Sequence, residues 1–153
     1  MRLLIGLGSH HGDDQVGWKL AEDLGRLADL PFRQAAIPAG LLHWLNGVDQ
    51  LYVFDACQSG GTPGQVYRWQ CGAHGQFLEG IIPGVKSLRS MNTHQLSLPD
   101  TLSLAHRLEM LPRRVVIWGI EGKSFETGQP LSSEITALLP DILRQLASEL
   151  DHA

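Results

Sequence analysis

The stretch Met1-Arg-Leu-Leu-Ile-Gly-Leu-Gly-Ser-His-His-Gly-Asp-Asp-Gln-Val-Gly-Trp18 predicts a strand, a tight loop and the start of a helix. The apolar run Leu3–Ile5 is long enough for a buried strand. Three glycines then bracket the loop: Gly6, Gly8 and Gly12. Because open α/β sheets bind ligands at glycine-rich turns after a first strand, this loop is the first candidate for a functional site.

The rest of the chain alternates between apolar runs and amphipathic segments. The clearest strand is Leu51-Tyr-Val-Phe-Asp55-Ala, and further strands are predicted at 34–38, at 65–69 (an antiparallel edge) and at 114–120. A helix after the loop has one apolar stripe, and others are predicted at 41–47, near 97–110 and from Ser132 or Ser133. The stripe of the first helix is Val16, Leu20, Leu24 and Leu27. This alternation predicts one α/β domain over residues 1–153, a three-layer sandwich with a mainly parallel central sheet of about five strands and helices on both faces.

Composition narrows the class of protein. With 43% hydrophobic and 18% charged residues among 153, the chain has the composition of a folded domain. The net charge is −4 and the longest basic run is Arg113–Arg114, so no nucleic-acid partner is expected. Two cysteines, Cys57 and Cys71, make no disulfide framework, which favours a reducing compartment and a cytoplasmic protein. No apolar stretch is long enough to span a membrane.

A phosphate ligand is the first interpretation of the opening loop. Gly6-x-Gly8 with Gly12 resembles a dinucleotide fingerprint, but one residue too many precedes the third glycine. Asp13 and Asp14 would also place negative charge where a pyrophosphate should bind. The composition of the loop therefore disfavours a nucleotide.

A metal or acid/base site fits the loop better. Asp14 follows the first strand and Asp55 ends the central one, so a flavodoxin-like strand order would make their carboxylates face one crevice. Imidazoles are available at His10, His11 and His94, and such a mixed set suits zinc, nickel or a related divalent ion. Without a cation, two converging carboxylates would raise one pKa and favour acid/base chemistry.

Structural roles compete with these interpretations. Asp13 has the position of a helix N-cap, and Asp14 that of a first-turn acid stabilised by the helix dipole. Cys57 and Cys71 lack C-x-x-C spacing and are expected to be packing residues. Neither a G-x-S-x-G elbow nor an H-E-x-x-H helix occurs, so a serine hydrolase or a zincin has no support.

Several motifs in order resemble those of the nickel–iron hydrogenase maturation endopeptidases, over nearly the whole chain. They are Gly6-Leu-Gly8 with Gly12-Asp-Asp14 and Gly17, Val53-Phe-Asp55-Ala with Gly60, Pro63 and Gly64, Thr93-His94-Gln-Leu-Ser-Leu98, and Trp118-Gly-Ile-Glu121 with Gly128 and Leu131-Ser-Ser-Glu134. Each motif is weak alone, whereas their order and spacing together are specific.

The resemblance implies an endopeptidase that removes the C-terminal extension of a hydrogenase large-subunit precursor, and so activates that enzyme, after nickel has been inserted. It implies that Asp14, Asp55 and His94 contact the nickel, with Asp14 and Asp55 as catalytic residues of an aspartic type. Nickel would arrive with the substrate, and zinc or cadmium would be able to replace it in a crystal. A monomer is expected. His94 is selected by the resemblance alone.

The opening loop departs from the family pattern, which usually has asparagine after Gly-x-Gly and a slightly longer apolar loop. Ser9-His10-His11 stands there instead. His10 or His11 is therefore an additional candidate for binding the metal or for recognising a different precursor. The alternative function is a metal-dependent binding or chaperone module that recognises a hydrogenase-like partner without cutting it.

Overall fold

The apolar runs form one twisted sheet in the computed structural model, which describes residues 1–72 and 97–151. Its five strands are β1 (Arg2–Leu7), β2 (Phe32–Ala35), β3 (Gln50–Cys57), β4 (Val66–Gly72) and β5 (Arg114–Glu121). Their order is β2-β1-β3-β5-β4; β4 alone is antiparallel, on the edge beside β5, and the other neighbours are parallel. The predicted antiparallel edge strand and the predicted neighbours β1 and β3 are both confirmed.

Helices cover both faces of this sheet. They are α1 (Val16–Ala28), α2 (Leu98–Arg107) and α3 (Ser133–Asp151), with 3-10 helices at Gly12–Gln15 and Pro38–Trp44. One core joins α1 and α3 to the sheet, and a second core joins α2 and Pro38–Trp44 to the other face. The three-layer α/β prediction is therefore confirmed. In the described part of the chain, no helix has both the length and the apolar character needed to cross a membrane.

Two local predictions are wrong in detail. The segment predicted as a helix at 41–47 forms a 3-10 helix at Pro38–Trp44. A segment this short forms few backbone hydrogen bonds to offset the free-energy cost of nucleating an α-helix. Leu27 is 70% exposed although it shares the apolar stripe of α1. The buried face of α1 shifts along the helix toward Ala21, Leu24 and Gly25, which leaves Leu27 in solvent.

Glycines let α1 begin directly over the ends of two central strands. A Cβ on Gly17 would lie 2.2 Å from the carbonyl oxygen of Leu7 and 2.5 Å from that of Phe54. A Cβ on Gly6 would lie 2.3 Å from the carbonyl oxygen of Gly17. The first turn of α1 can therefore approach β1 and β3 only because these positions carry no side chain.

We predict that Gly17→Ala destabilises the protein by about 2–3 kcal/mol, because backbone carbonyls on two strands have no room to move aside. Gly40→Ala is the matched control, since its nearest heavy atom would lie at an ordinary 3.5 Å. Urea unfolding of both variants measures the difference. A Gly17→Ala protein as stable as Gly40→Ala would contradict this account of the close approach.

Candidate active site

The candidate site lies at the edge where the parallel strands β1, β3 and β5 end. In the β1–β3 ladder Gly6 pairs with Phe54, so Asp55 follows immediately beyond the end of that pairing. In the β3–β5 ladder Asp55 pairs with Gly119 and Cys57 pairs with Glu121. Three loops therefore leave the sheet side by side, and each starts or ends near an acidic residue.

Asp55 is an acidic residue inside the core. Its side chain is fully buried, at 0% exposure. Side chains alternate along a strand, so Asp55 shares its face with Val53 and Cys57, the face that α2 covers. Burial, then the charges of Glu121 and Asp55, raise the pKa of Cys57 to about 12. Cys57 is therefore a neutral packing thiol, as the sequence predicted.

Asp14 lies on the 3-10 turn Gly12–Gln15, which contacts β3. Its side chain is half-buried, and the Ser9 hydroxyl donates to its Oδ2 at 2.5 Å. The Ser9 amide also donates to the Asp14 carbonyl at 3.3 Å. A Cβ on Gly8 would lie 2.6 Å from that carbonyl oxygen, so only glycine lets the chain close around Asp14.

The third predicted ligand, His94, lies outside the described residues. Among residues 1–72 and 97–151, no three His, Cys, Asp or Glu side chains are grouped closely enough to hold a metal ion. The structure brings the turn that carries Asp14 to the strand that carries Asp55, and the complete three-residue ligand set stays a prediction.

Asp13 does not cap its own helix, contrary to the expectation from its position. It is fully buried, and its carboxylate accepts four hydrogen bonds across the site. The donors are the amides of Lys123, Ser124 and Ser132, at 2.7, 3.1 and 2.7 Å, and the Ser132 hydroxyl at 2.9 Å. Asp13 therefore fixes the loop after β5 to the turn that carries Asp14.

Main-chain bonds reinforce this connection. The Gly12 amide donates to the Gln129 carbonyl at 2.8 Å, and the Asp13 amide donates to the Ser124 carbonyl at 2.7 Å. Gly12 has φ +58°, and a Cβ there would lie 2.5 Å from the Ser124 carbonyl oxygen. The predicted importance of this glycine thus has a physical cause, which is the close pairing of the two loops.

The two histidines of the loop have separate surroundings. His10 is exposed, with its ring edge-on to Trp18 at 4.9 Å between centroids. His11 is exposed, and its Nδ1 accepts a hydrogen bond from the Gly128 amide at 3.2 Å. A metal-binding role for His10 or His11 stays a prediction.

Glu121 is a third buried carboxylate, and the sequence reasoning left it without a role. It closes the apolar strand β5, the same signal that singled out Asp55. Its carboxylate accepts from the Ser59 amide at 2.9 Å, the Gly61 amide at 3.2 Å, the Tyr67 hydroxyl at 3.0 Å and the Ser59 hydroxyl. Burial raises the pKa of Glu121, but the bonds from Ser59, Tyr67 and Gly61 outweigh burial, so its pKa lies below the usual value. Glu121 thus holds the loop after β3 as an anion.

Comparison with known proteins identifies the family. A family model described as "Hydrogenase maturation protease" matches residues 36–149, which is most of the chain. The chain belongs to this family. As a hydrogenase maturation protease it is a peptidase and therefore a hydrolase, which removes the support for a non-cleaving chaperone and for a nucleotide-binding protein.

Individual relatives are similar to this protein over nearly its whole length. The hydrogenase expression/formation protein HupD of Bradyrhizobium diazoefficiens is 25% identical over 158 residues, covering 99% of this chain and 74% of that protein. The hydrogenase maturating endopeptidase HybD from E. coli superposes with a TM-score of 0.72 at 20% identity, covering 99% of this chain and 92% of that one. The [NiFe] hydrogenase maturation protease HybD from Thermococcus kodakarensis gives 0.74 at 22%, covering 97% of both. At these identities the two structures show a shared fold.

We predict that Asp13→Ala lowers the free energy of unfolding by about 3 kcal/mol or more, because it leaves several buried donors without an acceptor. Asp23→Ala is the matched control, since it removes only a partly exposed pair with Lys19 worth about 0.3–0.5 kcal/mol. Urea unfolding of both variants tests this. Equal stabilities would show that Asp13 does not hold the two loops.

We predict that Glu121→Gln makes the free energy of unfolding depend less on pH below pH 4.5. The folded-state pKa of Glu121 lies below the ordinary 4.5, so its carboxylate stabilises the fold above pH 4.5 and this contribution is lost as the pH falls through the folded-state pKa. Glutamine gains no proton, so the variant should lose less stability below pH 4.5. Denaturant unfolding across this range measures both slopes, and identical slopes would contradict the low pKa.

Proposed function

We propose that the protein removes a C-terminal extension from the large-subunit precursor of a nickel–iron hydrogenase, and that nickel already bound in the precursor is its recognition mark. The observation that carries the proposal is the position of Asp55. In a hydrogenase maturation protease, this fully buried carboxylate lies two residues before the end of β3, the strand that contacts the turn carrying Asp14. The nickel would arrive as part of the substrate.

Asp14 and Asp55 are the proposed nickel ligands and catalytic residues, with His94 as the third ligand. Two carboxylates and an imidazole form a donor set that suits nickel and zinc. His94 precedes the start of α2 by four positions, and α2 covers the sheet face to which Asp55 belongs. Asp13 and Glu121 have structural roles instead, since each carboxylate fixes a loop through several hydrogen bonds.

The proposed chemistry depends on positioning. Contact with a nickel ion held in the precursor would fix the nearby scissile peptide at this edge, which converts a bimolecular encounter into a local reaction. The attacking water would be activated by the metal as a Lewis acid or by a carboxylate as a base. Asp14 is the better placed of the two carboxylates to meet water, since it is half-buried while Asp55 has no exposed surface. The monomeric state and the cytoplasmic location stay predictions from the sequence.

We predict that Asp14→Ala and Asp55→Ala each lower the rate of precursor cleavage by about 10²–10⁴-fold, the usual contribution of a positioned acid or base. The assay is the intact mass of a nickel-loaded precursor after incubation with the protein. Asp23→Ala, which alters a carboxylate on the outer side of α1, should cleave at the wild-type rate.

A nickel-free precursor is the second substrate, and it tests whether cleavage requires the metal. It should keep its full mass with the wild-type protein, because the recognition mark is missing. Unchanged cleavage by both alanine variants would overturn the assignment of these residues. Equal cleavage of nickel-loaded and nickel-free precursors would overturn the role of nickel.

A further inference from the structure

We propose that Ser9 is a positioning residue for Asp14, fixing the orientation in which this carboxylate meets the metal of the substrate. The inference rests on the proposed function of Asp14. The Ser9 hydroxyl donates to Oδ2 of Asp14 at 2.5 Å. The hydroxyl therefore bonds directly to one of the two oxygens that would face the metal.

The main chain of Asp14 is already held without this hydroxyl. Its carbonyl accepts from the Ser9 amide at 3.3 Å, and its amide donates to the His11 carbonyl at 3.1 Å. These bonds join main-chain atoms, so they set where the Asp14 backbone lies. The Ser9 hydroxyl acts on the carboxylate itself, so it selects a side-chain orientation rather than a backbone position.

The surrounding loop does not depend on Ser9 for its fold. Asp13 anchors it to the loop after β5, with further main-chain bonds from Gly12 to Gln129. Ser9 itself is only half-buried. Ser9→Ala should therefore fold normally while losing the hydroxyl bond that helps to orient the Asp14 carboxylate. A functional loss without a loss of fold is the signature that separates a positioning residue from a structural one.

The test measures binding of nickel-loaded and nickel-free precursor by calorimetry, on a time scale shorter than cleavage. The wild-type protein should prefer the nickel-loaded form, and Asp14→Ala should lose that preference. Ser9→Ala should lose about 10–100-fold of it, the usual effect of removing a side chain that orients a metal ligand. Affinity for the nickel-free form should not change, and Ser9→Thr, which keeps the hydroxyl, should retain the preference.

Ser133→Ala is the matched control, because its hydroxyl also donates to a carboxylate, that of Glu134 at 2.9 Å, on the exposed start of α3. It should bind as the wild-type protein does. A Ser9→Ala protein with the wild-type preference, while Asp14→Ala has none, would overturn the role of Ser9 and leave the proposed function intact. Equal weakening toward both precursor forms would also overturn it, since that marks a structural effect. A wild-type protein without any preference would overturn the proposed function, and the role of Ser9 with it.

Discussion

The buried carboxylate of Asp13 is the interaction on which the geometry of the site depends. A charged group with no exposed surface is costly unless its oxygens are satisfied, and four hydrogen bonds from residues 123–132 satisfy them here. Because Asp13 and Asp14 are neighbours, the same four bonds determine where Asp14 lies. A change in the loop after β5 would therefore also displace the turn after β1, which carries Asp14.

The acids of this edge have two roles. Asp13 and Glu121 accept several hydrogen bonds from loop amides and hydroxyls, and each fixes a loop. Asp14 and Asp55 are the acids proposed to contact the nickel, on the turn after β1 and two residues before the end of β3. The glycines that let α1 approach β1 and β3 bring that turn close to β3. Asp13 and Glu121 thus fix the loops around the two carboxylates that are proposed to contact the nickel.

The sequence predicted the features that depend on local pattern. The apolar strand ending at Asp55, the glycine loop before Asp14 and the antiparallel edge at β4 were all recognisable from residues close together in the chain. An assumed flavodoxin-like strand order then predicted β1 and β3 as neighbours, and they are paired in the structure.

The parts that sequence reasoning missed depend on distant contacts. Asp13 has the sequence position of a helix cap, and its true partners lie more than a hundred positions away. Glu121 carried the same signal as Asp55, an acid closing an apolar strand, but only the fold shows that Ser59 and Tyr67 meet it. Leu27 is exposed because the buried face of α1 rotates along the helix, which a fixed apolar stripe does not predict. His94 lies outside the described residues, so its place in the site rests on the family resemblance.

The most direct test of the account is nickel-edge X-ray absorption of the precursor, recorded alone and again when frozen with this protein before cleavage. The account predicts that the wild-type protein adds oxygen ligands to the nickel, and that Asp14→Ala and Asp55→Ala each remove part of that addition. If the nickel spectrum does not change on mixing, and the precursor in the same sample is later cleaved, the claim that these carboxylates bind the nickel is contradicted.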